Sequence, residues 1–169
     1  MSVSATRNVP AKLNPILALV LAAAIVASAA FVGNLATFSG LVPWYASLNK
    51  PAFTPPNWLF GPVWSLLYLT MIFAFWRVLT RPRDTAGRGR AMVWFVVQMV
   101  LNGAWSVAFF GLQSPLLGLI TIAALVVALL GTIGAFLKVD RAAGFVLLPY
   151  LAWVSFASAL NGAVWWLNR

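Results

Sequence analysis

The chain has 169 residues, of which 63% are hydrophobic and 8% charged, and its formal net charge is +9 at pH 7. Average soluble domains are roughly 45–50% apolar and roughly 25% charged, so this composition excludes a disordered chain, a coiled coil and an ordinary water-soluble enzyme. The sequence has no His, Cys or Glu, and its two acids are Asp84 and Asp140. A Ser-His-Asp triad, a cysteine nucleophile and a zinc site are therefore excluded, and we expect no metal or cofactor.

Five charge-free apolar stretches follow one another along the chain, each close to the ~20 residues needed to cross a membrane. They cover about residues 15–38, 58–76, 91–112, 115–137 and 144–167. Only the segment Gln113–Ser114–Pro115 joins the third and fourth stretches, which predicts a tight antiparallel hairpin. The sequence therefore predicts an all-α polytopic membrane protein, with an N-terminal tail over residues 1–14 and a single five-transmembrane-helix bundle over residues 15–169.

Basic residues flank these spans very unevenly. Lys50 and Arg169 lie on one side, and the other side has Arg7, Lys12, Arg77, Arg81, Arg83, Arg88, Arg90, Lys138 and Arg141. The positive-inside rule places the N-terminus in the cytoplasm and the C-terminus and the 39–57 loop outside. We expect a bacterial cell membrane, and we expect the positive charge to attract anionic lipid headgroups rather than nucleic acid.

The first span also resembles a signal peptide. Arg7 and Lys12 precede its apolar run, and Ala27–Ser28–Ala29 matches a small-residue cleavage site. The charge-free run nevertheless continues to Asn49, which is long enough for a full span. We therefore expect the segment to be retained as the first helix.

Polar and aromatic residues fall in one slab of the bundle. Six of the nine Trp residues lie at span ends or in the 39–57 loop, where an aromatic belt is expected, but Trp64, Trp105 and Trp153 lie inside spans. At 1.5 Å per residue, Trp64, Trp105 and Asn161 lie ~9–10 Å below the extracytoplasmic surface. Tyr68, Asn102 and Trp153 lie near the midplane. These residues either tie the helices together by hydrogen bonds or line a small-molecule pocket.

The 39–57 loop favours the pocket. Its four prolines make it stiff, and Trp44, Tyr45 and Phe53 give it apolar bulk. A rigid aromatic loop beside the slab could act as a lid, and Lys50 within it could bind an anionic group.

A stripe of small residues runs along the fourth span. Ala124, Ala128, Gly131 and Ala135 are spaced by four, three and four residues, so they share one helix face. Small residues let helices approach closely. The stripe predicts either packing within the bundle or the seam of a homodimer.

A set of short motifs extends over residues 44–168. The motifs are Trp44–Tyr45, Leu48–Asn49–Lys50–Pro51, Thr54–Pro55–Pro56–Asn57–Trp58, Gly61–Pro62–Val63–Trp64, Leu67–Tyr68, Gln98, Leu101–Asn102, Trp105, Phe109–Phe110–Gly111, Pro149–Tyr150–Leu151–Ala152–Trp153, Phe156–Ala157 and Leu160–Asn161. In order and spacing they resemble the TspO/MBR family of tryptophan-rich sensory proteins, which includes the mitochondrial translocator protein (peripheral benzodiazepine receptor).

The resemblance implies a five-helix bundle, usually a homodimer, with a pocket under the first loop that binds porphyrins and hydrophobic drugs, and sterols in animal members. It implies pocket residues at Tyr45, Pro55, Trp64, Tyr68, Asn102, Trp105, Trp153 and Ala157, to which the depth estimate adds Asn161. Some members are reported to degrade protoporphyrin IX in light and oxygen, with Trp residues that match Trp64 and Trp153.

The chain departs from the family at a few positions. Phe53 stands where many members have Trp, and Val107 replaces a common Pro. Gly162 and Trp166 stand where the animal sterol motif has Tyr and Arg, which argues against a dedicated cholesterol receptor.

We therefore expect a membrane receptor or carrier for porphyrins and other hydrophobic ligands, acting in tetrapyrrole homeostasis and stress regulation. Metal-free porphyrin should be preferred, because His and Cys are missing as haem ligands. The alternative is a light- and oxygen-dependent porphyrin-degrading activity in which Trp64 and Trp153 are the catalytic residues. A third hypothesis is an interaction protein with no saturable porphyrin site.

Overall fold

The computed structural model describes residues 12–169; residues 1–11, which include Arg7 and most of the predicted tail, lie outside this range. Over the described residues the chain is helical and contains no strand. Its helices are α1 (Pro15–Gly40), α2 (Asn57–Leu79), α3 (Arg88–Ser106), α4 (Pro115–Val139), α5 (Arg141–Phe145) and α6 (Leu148–Leu167). Five helical segments, with α5 and α6 counted as one, are long and apolar enough to cross a membrane. The predicted fold class is confirmed.

The first helix is longer than the predicted span. After α1, a π-helical turn over Leu41–Tyr45 continues the segment and residues 46 and 47 are still helical, so the irregular loop before α2 covers residues 48–56. Val42 has extended backbone angles, φ −134° and ψ 129°. Because the ring of Pro43 disfavours the helical region for the residue before it, the chain bends here. The bend turns Tyr45 inward, where its side chain is buried.

The helices form a closed ring around the core. α1 packs against α2 and α3, α3 packs against α4, and α4 packs against α6. α2 and α6 meet through large aromatic side chains: the Phe60 and Trp153 rings are 5.8 Å apart, and the Trp64 and Tyr150 rings are 6.2 Å apart. α2 and α6 are therefore joined through their side chains rather than through close backbone packing.

The basic end of the bundle has a tightly packed core. Phe75 of α2 stacks on Phe95 of α3 with ring centres 4.1 Å apart, and Phe95 stacks on Phe136 of α4 at 5.8 Å. All three rings are buried, together with Met71 and Met99. The stack fills the centre of the bundle between α2, α3 and α4 at this end.

Glycines bring α1 close to α3. A Cβ atom on Gly40 would lie 2.2 Å from the carbonyl oxygen of Phe110, so no larger residue fits there without a backbone shift. A Cβ on Gly33 would lie 3.3 Å from Oγ of Ser106. Small residues allow such close backbone approach between membrane helices. These two contacts fix the position of α1 against the end of α3.

The small-residue stripe of α4 packs partly inside the bundle. Ala128 is buried, and a Cβ on Gly131 would lie 2.8 Å from the ring of Trp94 on α3. Ala124 is exposed. The contact with Trp94 favours packing within one chain for the basic half of the stripe.

Asp140 connects three elements at the basic end. Its carboxylate accepts hydrogen bonds from Nε of Arg77 at 3.0 Å and Nε of Arg81 at 3.0 Å, and its second oxygen accepts from the Ala143 N–H at 3.1 Å. The Asp140 side chain is only 2% exposed. Burial alone would raise the pKa of this carboxyl, but the hydrogen bonds from Arg81, Arg77 and Ala143 outweigh burial and lower the pKa to about 2.

We expect acid to destabilise the bundle through Asp140. Because the pKa is lowered on folding, its contribution is complete above the ordinary value of 3.8 and is lost as pH falls from about 4 to about 2. Asp140→Asn should lower the free energy of unfolding by about 1–3 kcal/mol at neutral pH and flatten the loss in this window. Thermal unfolding in detergent, recorded at a series of pH values, measures the loss of stability at neutral pH and its dependence on pH.

The matched control is Asp84→Asn, which removes the same charge from an exposed loop residue. It should follow the wild-type pH curve. An Asp140→Asn curve that also coincides with the wild type would contradict the proposed role of the arginine pairs.

Candidate ligand-binding cleft

A cleft of about 410 Å³ lies between α1, α2 and α3, in the half of the bundle away from the basic end. Ligand pockets commonly have volumes of about 300–1,000 Å³. Its aromatic lining consists of Phe38, Tyr45, Phe60, Trp64, Tyr68, Trp105 and Phe110. Its polar lining consists of Asn34, Thr37, Asn57, Ser65, Asn102 and Ser106. Among residues 12–169, none that lines the cleft is charged.

One wall is built by α2. Trp64 and Tyr68 are four residues apart, so they share a helix face, and their ring centres lie 5.4 Å apart. The Trp64 ring also meets the Tyr150 ring edge-on at 6.2 Å. The indole is therefore held between two phenol rings.

A buried hydrogen-bond cluster forms the base of the cleft. Nδ2 of Asn102 donates to the Tyr150 hydroxyl at 2.9 Å, and that hydroxyl donates to Oε1 of Gln98 at 3.1 Å. All three side chains are buried. The cluster ties α3 to α6 and places Asn102 at the cleft surface.

A second cluster holds Trp105. Its indole N–H donates to Oδ1 of Asn161 at 3.1 Å, and Nδ2 of Asn161 donates to the Pro115 carbonyl at 2.7 Å. Asn161 thus joins α3, the start of α4 and α6. Because both ends of its amide are occupied by the protein, Asn161 supports the cleft from behind rather than lining it.

Aromatic packing closes the cleft toward the loop. The Tyr45 ring lies 5.5 Å from Phe110 and 6.1 Å from Phe109, and Trp44 meets Phe109 at 5.5 Å. Nζ of Lys50 lies 4.8 Å from the centre of the Tyr45 ring. These contacts place Tyr45 between the loop and the ligand space.

Lys50 itself is bound by the loop. Its Nζ donates to the carbonyls of Ala46 at 3.2 Å and Leu48 at 3.3 Å. It does not line the cleft. The ammonium group of Lys50, which the sequence suggested for binding an anion, is therefore hydrogen-bonded to backbone carbonyls of its own loop.

The loop is fastened to the end of α6. Oδ1 of Asn168 accepts from the Asn49 N–H at 2.9 Å, and Nδ2 of Asn168 donates to the Asn49 carbonyl at 2.9 Å. The Phe53 ring also meets the Phe156 ring at 6.3 Å. The loop is thus held at both ends across the top of the bundle.

The cleft opens sideways between α1 and α2. Its rim consists of exposed lining residues from both helices, Asn34 and Phe38 on α1 and Gly61 and Ser65 on α2. Phe38 is 75% exposed. An amide and a hydroxyl therefore stand at an opening that faces the lipid side of the bundle.

The structure brings five of the nine predicted binding residues into the cleft lining: Tyr45, Trp64, Tyr68, Asn102 and Trp105. Ala157 is buried in the main core, and Pro55 lies half-buried in the loop. Trp153 stands behind Phe60, with ring centres 5.8 Å apart. Its buried indole N–H has no hydrogen-bond partner within residues 12–169.

Sequence reasoning missed the contribution of α1. The cleft is also lined by Asn34, Thr37, Phe38 and Leu41. Their spacings of three, one and three residues place them on one helix face. Asn34 is the one amide side chain in the charge-free helix α1, whose other polar side chains are the hydroxyls of Ser28, Thr37 and Ser39. Each hydroxyl can bond a carbonyl of its own helix, so the amide is the signal in the sequence, because a lipid-facing amide is costly.

The fold and the cleft together define an integral membrane protein, a five-span helical bundle with an uncharged aromatic cavity in one half. The profile of the TspO/MBR family matches residues 18–167, and the chain belongs to this family.

Relatives match over most of the chain. It is 42% identical over 156 residues to the tryptophan-rich protein TspO of Archaeoglobus fulgidus, covering 90% of this chain and 98% of the relative. It is 40% identical to the protein of the same name from Chlorobaculum tepidum, covering 90% and 97%. The translocator protein of Homo sapiens is 34% identical over 138 residues, covering 80% of each chain.

We expect Asn168→Ala to release the loop. The substitution removes both hydrogen bonds to the Asn49 backbone, each worth about 0.5–1.5 kcal/mol. Amide hydrogen exchange over residues 46–56 should therefore become about tenfold faster, measured by mass spectrometry.

Asn49→Ala is the matched control, because Asn49 uses only its backbone in this contact. It should keep the wild-type exchange rate. Equal exchange in Asn168→Ala and the wild type would show that aromatic packing alone holds the loop.

Proposed function

We propose that the protein is a membrane receptor or carrier for porphyrins and other flat hydrophobic molecules, acting in tetrapyrrole homeostasis and stress regulation. The observation that supports this function best is the cleft between α1, α2 and α3, which has aromatic side chains from all three helices and no charge. Aromatic walls stack on a flat macrocycle, and apolar burial supplies most of the affinity.

The polar groups suggest how an amphiphilic ligand lies in the cleft. Asn34 and Ser65 stand at the side opening, and Asn57 stands at the start of α2. These groups can hydrogen-bond the carboxylates of a porphyrin while its macrocycle contacts Trp64 and Tyr68. A ligand dissolved in the bilayer would enter between α1 and α2.

Metal-free porphyrin remains the preferred ligand in this proposal. Haem iron is usually held by His, Cys, Met or Tyr. Among these residue types the cleft lining contains Tyr45 and Tyr68 only. Tyr68 has its ring against Trp64, so binding iron would disturb that contact.

A light-driven oxidation of bound porphyrin is the second candidate function. Trp64 lines the cleft, and the Tyr68 and Tyr150 rings lie 5.4 Å and 6.2 Å from it. Dioxygen is the oxidant in this reaction: the excited macrocycle takes an electron from the adjacent Trp64 indole and passes it to dioxygen, which becomes superoxide. The indole radical then recovers its electron from the macrocycle, which is left oxidised by one electron. Trp153 would act only through Phe60, which separates it from the cleft.

The orientation and assembly of the protein are part of the same proposal. Within residues 12–169, most of the Lys and Arg residues lie at the end of the bundle that contains Asp140. We place this end in the cytoplasm by the positive-inside rule, so the cleft lies in the outer half of the cell membrane. The family resemblance suggests a homodimer.

Trp64→Leu should weaken protoporphyrin IX binding about tenfold, because it removes one aromatic wall of the cleft. The measurement is a titration of detergent-purified protein with protoporphyrin IX in the dark, with the porphyrin absorbance as the readout. Trp58→Leu is the matched control, since Trp58 begins the same helix but is 72% exposed and does not line the cleft.

Illumination of the same samples separates the two functions. A product band that forms in wild type and Trp58→Leu, but not in a porphyrin-saturated Trp64→Phe sample, would support the oxidation. Binding without product in any sample would leave the receptor or carrier. Equal affinity in Trp64→Leu and Trp58→Leu would contradict both.

A further inference from the structure

A second cavity, of about 270 Å³, lies between α3 and α4 at the basic end of the bundle. It is separate from the aromatic cleft and shares no lining residue with it. Its lining includes two cations, Arg90 and Lys138, together with Trp94 and the small residues Gly131, Gly134 and Ala135. The proposed porphyrin function does not use it.

The two cations are not used by the bundle. Among residues 12–169, neither Arg90 nor Lys138 forms a salt bridge, and both are exposed. The neighbouring Arg88 differs, because its guanidinium donates to the carbonyls of Val78 at 3.2 Å and Leu79 at 3.0 Å. Asp140 is occupied by Arg77 and Arg81. Two free positive charges therefore line one cavity with no carboxylate beside them.

The floor of the cavity is apolar and shaped by glycine. The Trp94 ring lies against Gly131, where a Cβ would be 2.8 Å from the ring. A Cβ on Gly134 would meet no atom within 4 Å, so the space above this residue is open. A side chain at position 134 would project into this open groove, whereas the space over Gly131 is already occupied by the Trp94 ring.

The order of these groups along the helices, with cations at the helix ends and apolar residues farther in, fits the headgroup and acyl chain of a lipid better than a small soluble anion. Arg90 lies in the first turn of α3, and Lys138 is the next-to-last residue of α4. Trp94 is six residues into α3, which is ~9 Å along the helix, and Gly134 is five residues from the end of α4, which is ~8 Å. Cations therefore stand at the membrane surface, and the apolar floor runs below them.

From this arrangement we propose that the α3–α4 cavity binds an anionic phospholipid. Arg90 and Lys138 bind the phosphate headgroup, and the glycerol and upper acyl chain lie over Trp94, Gly131 and Gly134. Basic pockets between transmembrane helices on the cytoplasmic side are a known form of anionic lipid recognition. The sequence predicted either packing within the bundle or a dimer seam for the small-residue stripe of α4. In this proposal the half of the stripe nearest the basic end forms the floor of the lipid site.

The test uses purified protein and two synthetic lipids with the same acyl chains, phosphatidylglycerol and phosphatidylcholine. Native mass spectrometry measures how many of each the protein retains. Wild type should retain one more phosphatidylglycerol than phosphatidylcholine. The double variant Arg90→Gln/Lys138→Gln should lose this preference, with phosphatidylglycerol affinity about thirtyfold lower.

Two further variants make the result specific. Arg83→Gln/Arg141→Gln removes the same charge from exposed residues outside the cavity and should keep the preference. Gly134→Phe fills the cavity without changing any charge and should abolish the preference. Ala124→Phe, at an exposed position of the same helix outside the cavity, should retain it. Gly134→Phe also keeps the test decisive if the double variant does not fold.

Three results would overturn the proposal. Equal retention of the two lipids by wild type would exclude an anionic lipid site. Equal loss in the two double variants would show a diffuse charge effect. Displacement of the lipid by equimolar glycerol 3-phosphate would show a site for soluble phosphate instead.

Discussion

Two amide-centred hydrogen-bond clusters on α3 determine the shape of the bundle away from the basic end. The first cluster joins Asn102 and Gln98 of α3 to Tyr150 of α6. The second joins Trp105 of α3 to Asn161 of α6, which in turn bonds the Pro115 carbonyl of α4. Inside a membrane an unpaired polar group is costly, which favours partners within the protein for these neutral groups. Among residues 12–169, Nε2 of Gln98 is the atom of these clusters that is left without a partner. Because their partners lie on α4 and α6, the opposite side of α3 is left to face α1 and α2.

The cleft is a consequence of that asymmetry. At the basic end, Phe75, Phe95 and Phe136 fill the space between α2, α3 and α4. At the other end, side-chain hydrogen bonds tie α3 to α6, and aromatic side chains connect α2 and α6. Gly33 and Gly40 hold α1 against α3. The remaining space opens between α1 and α2, where an uncharged aromatic cavity suits a flat hydrophobic ligand.

Much of this architecture could be predicted from the sequence, because the constraints of a bilayer are simple. Length and hydropathy indicated five spans, and polar residues inside spans had to face the bundle. The sequence could not separate a lining amide from a supporting one, since both need burial. Asn102 lies at the cleft and Asn161 supports it, although their sequence signals are alike. Lys50 was assigned to a ligand but is bound by loop carbonyls, which depends on a fold that no spacing rule reveals.

In the proposed function the ligand enters the cleft through the opening between α1 and α2, and a chain without native cysteine allows a direct test of this entry. Ser65→Cys places one thiol at the opening, and Ser155→Cys places one on an exposed position of α6. Both serines bond the carbonyl four residues before them, so the two variants are matched. Saturating protoporphyrin IX in the dark should slow maleimide labelling of Ser65→Cys at least tenfold and leave Ser155→Cys unchanged. Equal labelling of Ser65→Cys with and without porphyrin would contradict the claim.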